Sequence, residues 1–104
     1  MLNLLESYKK YCKTPGIESG KAQSYANAIQ YLCDYLGVQN INEEVVKKFR
    51  DLERYIYRSN DENRNDLLVF LERRHQKSYL TGGFIEAALK YFYRFWEIYK
   101  VEHI

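Results

Sequence analysis

Apolar and polar positions along this chain recur at intervals of three and four, not two, so the pattern predicts helices and no strand. The last stretch carries the strongest signal. From Phe84 to Lys100 the only polar positions are Glu86, Lys90, Arg94, Glu97 and Lys100, with apolar or aromatic residues on nearly all the rest. Their spacing puts them on one stripe of a helix. A helix so nearly apolar all round must be surrounded by other elements, and it is predicted to be the central post.

Upstream, Leu2, Leu5, Tyr8 and Cys12, with Leu4 and Tyr11 beside them, predict a first helix over 2–13. Thr14-Pro15-Gly16 ends it, since proline lacks an amide and glycine permits a positive φ. Ser19, preceded by Glu18, is the candidate N-cap of a second helix running to about Leu36, with Gly37 as its stop signal. That helix has a polar line of Gln23, Asn27, Gln30 and Asp34 opposite Ala22, Tyr25, Ala26, Ile29, Leu32 and Leu36. Asn42 caps a third helix, Glu43 and Glu44 favour its first turn, and Val45, Phe49, Leu52 and Ile56 form its buried stripe. The polar run from Ser59 to Asp66 reads as a loop, part of which can begin the short helix holding Leu67, Leu68, Phe70 and Leu71. The predicted fold is all-α: four main helices plus a short extra one, the last helix central.

One echo runs through the chain. Ala28-Ile-Gln-Tyr-Leu-Cys-Asp-Tyr-Leu36 matches Ala88-Leu-Lys-Tyr-Phe-Tyr-Arg-Phe-Trp96 in character, position by position. Two core helices converging on one pattern explain it as well as a structural pseudo-repeat does; a solenoid needs more copies.

Composition adds bounds. With 104 residues, 46% of them hydrophobic and 29% charged, the chain reads as a single helical domain over 1–104 rather than a disordered segment. Its abrupt end after the last helix favours a piece of a longer protein. Eleven tyrosines suit core edges, where a ring packs and a hydroxyl stays wet, and also suit a partner surface. Cys12 and Cys33 lack metal-like spacing and read as reduced core thiols of a cytoplasmic protein, with one disulfide left open. No apolar run is long enough for a membrane span.

No catalytic constellation emerges, so the chain is read as a non-enzyme without cofactor or metal, although a parent protein could be an enzyme. His75 and His103 read as surface histidines, and Glu43, Glu44, Asp51 and Glu53 as a solvated face with ion pairs. Ser24 and Ser78 lack a histidine in any suggestive arrangement. Thr81-Gly82-Gly83 lacks the strand and the rest of a phosphate loop, and its glycines are read as a close backbone passage.

A net charge of +2 is too small to argue for nucleic acid, so any such case rests on local clusters. Arg73, Arg74, His75, Lys77 and Ser78 precede the last helix, and Ser19 and Lys21 precede the second. A helix start offers amides and a positive dipole end, and cations and hydroxyls there complete a phosphate site. Lys47, Lys48, Arg50, Arg54 and Arg58 add a basic line on the third helix, diluted by Asp51 and Glu53.

The stretches Ser24-Tyr25-Ala-Asn-Ala-Ile-Gln-Tyr-Leu-Cys-Asp-Tyr-Leu36 and Ser78-Tyr-Leu-Thr-Gly-Gly-Phe-Ile-Glu-Ala-Ala-Leu-Lys-Tyr-Phe-Tyr-Arg-Phe-Trp96 resemble the SAM-like N-terminal, core-binding domain of tyrosine recombinases and phage integrases. A similar helical module stands at the N-terminus of some bacterial restriction endonucleases. The resemblance implies a non-catalytic clamp on duplex DNA, with contacts at Ser19, Lys21, Ser24, Lys77, Ser78 and Thr81 and along the last helix at Lys90 and Arg94. Arg73 and Arg74 join that set through their position in the basic run. The chain departs from such clamps in its low net charge, and no recombinase catalytic set can be assigned on it. The competing expectation is a protein-interaction or self-association module that displays Tyr91, Tyr93, Trp96 or Tyr99.

Overall fold

The helical periodicities are realised in a computed structural model that describes residues 2–17, 19–58 and 61–102, with the backbone alone for Leu2 and Asn3. Expectations that touch Glu18, Ser59, Asn60, His103 or the Leu2 side chain lie outside the described residues. Helix α1 is Leu2–Cys12, and a 3-10 turn, Ser19–Lys21, leads into α2, Ala22–Leu36. Then come α3, Glu43–Ile56; α4, Glu62–Glu72; α5, Ser78–Thr81; and α6, Phe84–Glu102. Among the described residues there is no strand, and the fold is the all-α bundle that the pattern predicts.

Helix α6 is the post. It buries Ile85, Ala88, Leu89, Phe92, Phe95 and Trp96, and α1, α2, α3 and α5 all meet it. From α1, the fully buried Tyr8 sets its ring 5.3 Å from Phe92 and 5.5 Å from Phe95, and its hydroxyl donates to the Ala88 carbonyl at 2.6 Å. From α3, Phe49 meets Phe92 edge-on at 5.8 Å. Trp96 Nε1–H donates to Glu43 Oε1 at 3.0 Å, and the Tyr93 hydroxyl donates to Glu53, so α3 crosses α6 with its start at Trp96 and its later turns at Tyr93. From α2, Lys21 Nζ lies 5.9 Å from the Phe84 ring centre and Tyr25 lies 5.7 Å from Tyr91. The starts of α2 and α6 are therefore neighbours.

The echo is one of burial as well as sequence. Ala28, Ile29 and Leu32 are fully buried, as are their counterparts Ala88, Leu89 and Phe92, while Tyr31 and Tyr91 are both half-buried. Both helices wedge between neighbours, which gives the shared pattern a packing cause.

The caps follow local chemistry. Asn42 Oδ1 accepts from the Val45 N–H at 3.0 Å, as predicted for the start of α3. Gly37, at φ 71°, closes α2 with its N–H on the Asp34 carbonyl, while the Val38 N–H reaches the Cys33 carbonyl, a Schellman closure. Ser19 is not the cap of α2. The 3-10 turn extends the helix backward, and Lys21, without a side-chain cap bond, stands at the boundary.

Two elements differ in extent from the pattern. The extra helix, α4, is eleven residues long, because Asp61 accepts from the Asn63 N–H at 2.8 Å and starts it inside the polar run read as a loop. The one-turn α5 and Gly82-Gly83 intervene between the basic run and α6. Both cysteines are free and buried; burial raises the Cys12 thiol and pushes Cys33 up to about 12.

Candidate nucleic-acid interface

The basic run is a tightly closed turn. After α4 the His75 N–H donates to the Glu72 carbonyl at 3.0 Å and the Gln76 N–H to the Leu71 carbonyl at 2.9 Å. This repeats the closure at Gly37, but with a histidine at φ 59° in the left-handed position. The turn holds Arg73, Arg74 and His75 exposed. Lys77 and Ser78, also exposed, open α5, where the Thr81 hydroxyl donates back to the Lys77 carbonyl at 3.4 Å. The Gly82 N–H donates to the Ser78 carbonyl at 2.7 Å, and a Cβ at Gly82 would sit 2.7 Å from that same oxygen. Gly83 has φ 81°. The two glycines thus serve a turn that passes close to its own backbone before α6.

Tyr79 of α5 is where separate elements converge. Its ring lies 5.1 Å from Tyr31 of α2 and 5.5 Å from Phe84 at the start of α6. Several cations of this region lie over half-buried rings. Lys21 is over Phe84 at 5.9 Å, Arg74 over Phe70 at 4.0 Å, and Lys90 and Arg94 over Tyr91 at 5.5 and 5.6 Å. The rings are held in turn by α2, with Phe70 5.3 Å from Tyr35 and Tyr91 5.7 Å from Tyr25. Burial raises the Tyr31 hydroxyl, with Tyr79 adding to it and the Arg74 charge opposing.

Among the described residues no carboxylate lies within 4.0 Å of Arg73, Arg74, Lys77, Lys90 or Arg94, nor of Lys47, Lys48 or Arg58, whereas two ion pairs cross the α3–α6 seam and two more lie within its helices. There Lys100 meets Glu43 at 3.1 Å and Glu97 at 3.2 Å, and Arg50 meets Glu97 at 3.9 Å. Arg50 also stacks on Tyr93 at 5.0 Å, and Arg54 lies 4.0 Å from Asp51. The basic line of the third helix is therefore partly neutralised within that seam. Acids do approach the cation-bearing face at its α4 edge: after burial, Asp66 is what raises the Tyr35 hydroxyl.

Of the ten predicted contact residues, the structure brings Lys21, Arg74, Ser78, Lys90 and Arg94 onto or beside the linked rings, with Arg73, Lys77 and Thr81 in the adjoining turn. Ser19 is exposed in the 3-10 turn and Ser24 is half-buried; among the described residues no side-chain hydrogen bond ties either to the cations. The displayed aromatic patch does not form around Trp96, which is 6% exposed, stacked between Phe92 and Tyr99 with its indole N–H on Glu43. Tyr93 is half-buried with its hydroxyl on Glu53, and Tyr99 packs 5.2 Å from Phe95. The platforms Phe70, Phe84 and Tyr91 were not singled out from sequence as ring supports. The four-residue step from Phe70 to Arg74 and the neighbours Lys90, Tyr91 and Arg94 carried the signal for two of them; Lys21 over Phe84 had none.

Among the described residues no three potential metal-ligating side chains cluster, and no helix is long and apolar enough to cross a membrane. Compared with protein-family models, curated proteins and solved structures, the chain gives no significant match.

Proposed function

We propose that this chain is a non-catalytic DNA-binding domain that grips the duplex backbone, as the resemblance to recombinase core-binding and restriction-enzyme N-terminal modules leads one to expect. One observation carries the reading. The start of α2 meets the start of α6, and the cations of the turn before α6 (Arg73, Arg74, Lys77) and along α6 (Lys90, Arg94) have no described carboxylate within 4.0 Å. Phosphates are the counter-charge such a face accepts, and ring-backed guanidinium groups are held ready for them.

Titration of a labelled duplex by fluorescence anisotropy tests it. Affinity is expected to be roughly micromolar or weaker and to fall steeply with salt. Five phosphate contacts give a slope of log K on log salt of about −4.5. Arg74→Glu and Lys77→Glu each weaken binding for all sequences alike. A chain that ignores duplex at low salt, or binds it independently of salt, removes the reading.

A second reading, self-association, has a different support. Ile98 and Val101 are 53% and 75% exposed near the end of α6, beside a groove lined by Tyr11, Phe95 and Tyr99. Light scattering that shows mass rising with concentration favours it.

A further inference from the structure

Beside the cation-bearing rings, the polar line of α2 is organised as a directed series of hydrogen bonds. Lys9 Nζ donates to Gln23 Oε1 at 3.1 Å, Gln23 Nε2 to Asn27 Oδ1 at 2.9 Å, and Asn27 Nδ2 to the Tyr79 hydroxyl oxygen at 3.5 Å. One turn on, Gln30 Nε2 donates to Asp34 Oδ1 at 2.9 Å. Gln23, Asn27 and Gln30 line a cleft of about 160 Å³ between α1 and α2. Its one acid, Glu6, is held by Lys9 at 3.4 Å.

These bonds orient the amides without exhausting them. A carboxamide has two donor hydrogens and two acceptor lone pairs. Asn27 spends one of each, on Tyr79 and Gln23, and keeps one of each. A neighbouring donor and acceptor on one planar group is what the major-groove edge of adenine, N7 with N6–H, pairs with. The internal echo sharpens the point. Where α6 carries Lys90 and Arg94, the matching positions of α2 carry Gln30 and Asp34. One helix presents groups suited to phosphate, the other a row headed by groups suited to a base edge, and Tyr79 joins that row to the basic turn.

We infer that Gln23, Asn27 and Gln30 read base edges of duplex DNA with a preference for adenine, while the cations hold the flanking phosphates. This rests on the DNA-binding reading above and adds specificity to it.

The test uses the whole chain and three duplexes of equal length: A·T pairs only, G·C pairs only, and A·T pairs with 7-deazaadenine, which lacks N7. The A·T duplex is expected to bind about tenfold tighter than G·C, within the range one bidentate contact supplies, and the 7-deaza duplex to lose that advantage. Asn27→Ala is expected to erase the preference and become blind to 7-deazaadenine, with an unchanged salt slope. Gln23→Ala, at an exposed position, is expected to reduce the preference and guards against a folding defect at Asn27, which circular dichroism also checks. Equal affinities for the three duplexes, or a preference that survives N7 removal or both substitutions, overturns the inference. Salt-dependent binding without discrimination removes this inference alone; no binding to any duplex at low salt removes the DNA-binding reading with it.

Discussion

Removing a single oxygen from Tyr8 tests the packing on which the whole molecule rests. The side chain is fully buried, its ring packs edge-on against Phe92, and its hydroxyl makes a 2.6 Å bond across the sequence to the Ala88 carbonyl. Burial foremost, then Cys12, raises its ionisation far above the usual phenol range, so the hydroxyl stays a neutral donor at working pH. In Tyr8→Phe the Ala88 carbonyl keeps its own helical partner, so the loss is that of one neutral hydrogen bond, about 0.5–1.5 kcal/mol. For a chain of this size that lowers Tm by roughly 4–8 °C per kcal/mol. Tyr8→Ala also deletes the ring and leaves a cavity, about 3–5 kcal/mol, a large share of the roughly 5–15 kcal/mol typical of a domain. Urea unfolding followed by the fluorescence of Trp96, the single tryptophan, measures both, with far-UV circular dichroism checking that the transition is two-state. An unfolding midpoint for Tyr8→Phe at or above that of the parent refutes the account. So does a Tyr8→Ala no worse than Tyr8→Phe.

Three further outcomes are expected. His75→Gly relieves a left-handed histidine and stabilises by up to about 1 kcal/mol in the same assay, whereas His75→Val destabilises. Gly82→Ala drives a methyl to 2.7 Å from the Ser78 oxygen and lowers the midpoint more than Gly20→Ala, where an added Cβ meets open space. The Lys100 hydrogen bond foremost, then that of Trp96, lowers the Glu43 carboxyl, so its contribution is present above the ordinary glutamate value and is lost as pH falls through the lowered one. The stability gap between the parent and Glu43→Gln is therefore open at pH 7 and closes in acid. Lys100 is raised, chiefly by Glu43, so its share fades only as alkali takes the pH through the raised value.

Much of what is written in near neighbours was legible from the chain alone. The Asn42 cap, the Gly37 stop, the buried stripe from Val45 to Ile56 and the central standing of the last helix all depend on residues three or four apart, and each is found. The pattern leaves open where within the polar run α4 starts, because its first turn is polar and solvated, so no apolar period announces it, only the Asp61 cap. His75 in a left-handed cap was equally silent, since that position is ordinarily marked by glycine. Position in space was decided by tertiary packing. Lys21 reaches Phe84, Arg74 acts on Tyr31, and the Trp96 indole meets Glu43 because α2, α3 and α5 all lean on one helix. The same packing decides which charges pair, bringing Lys100 to Glu43 and Arg50 to Glu97 across α3 and α6. Composition records only their near-cancellation at +2. A helix periodicity encodes which side of a segment is buried; which segments then face one another, and so which charges meet, follows only once the buried sides have found each other.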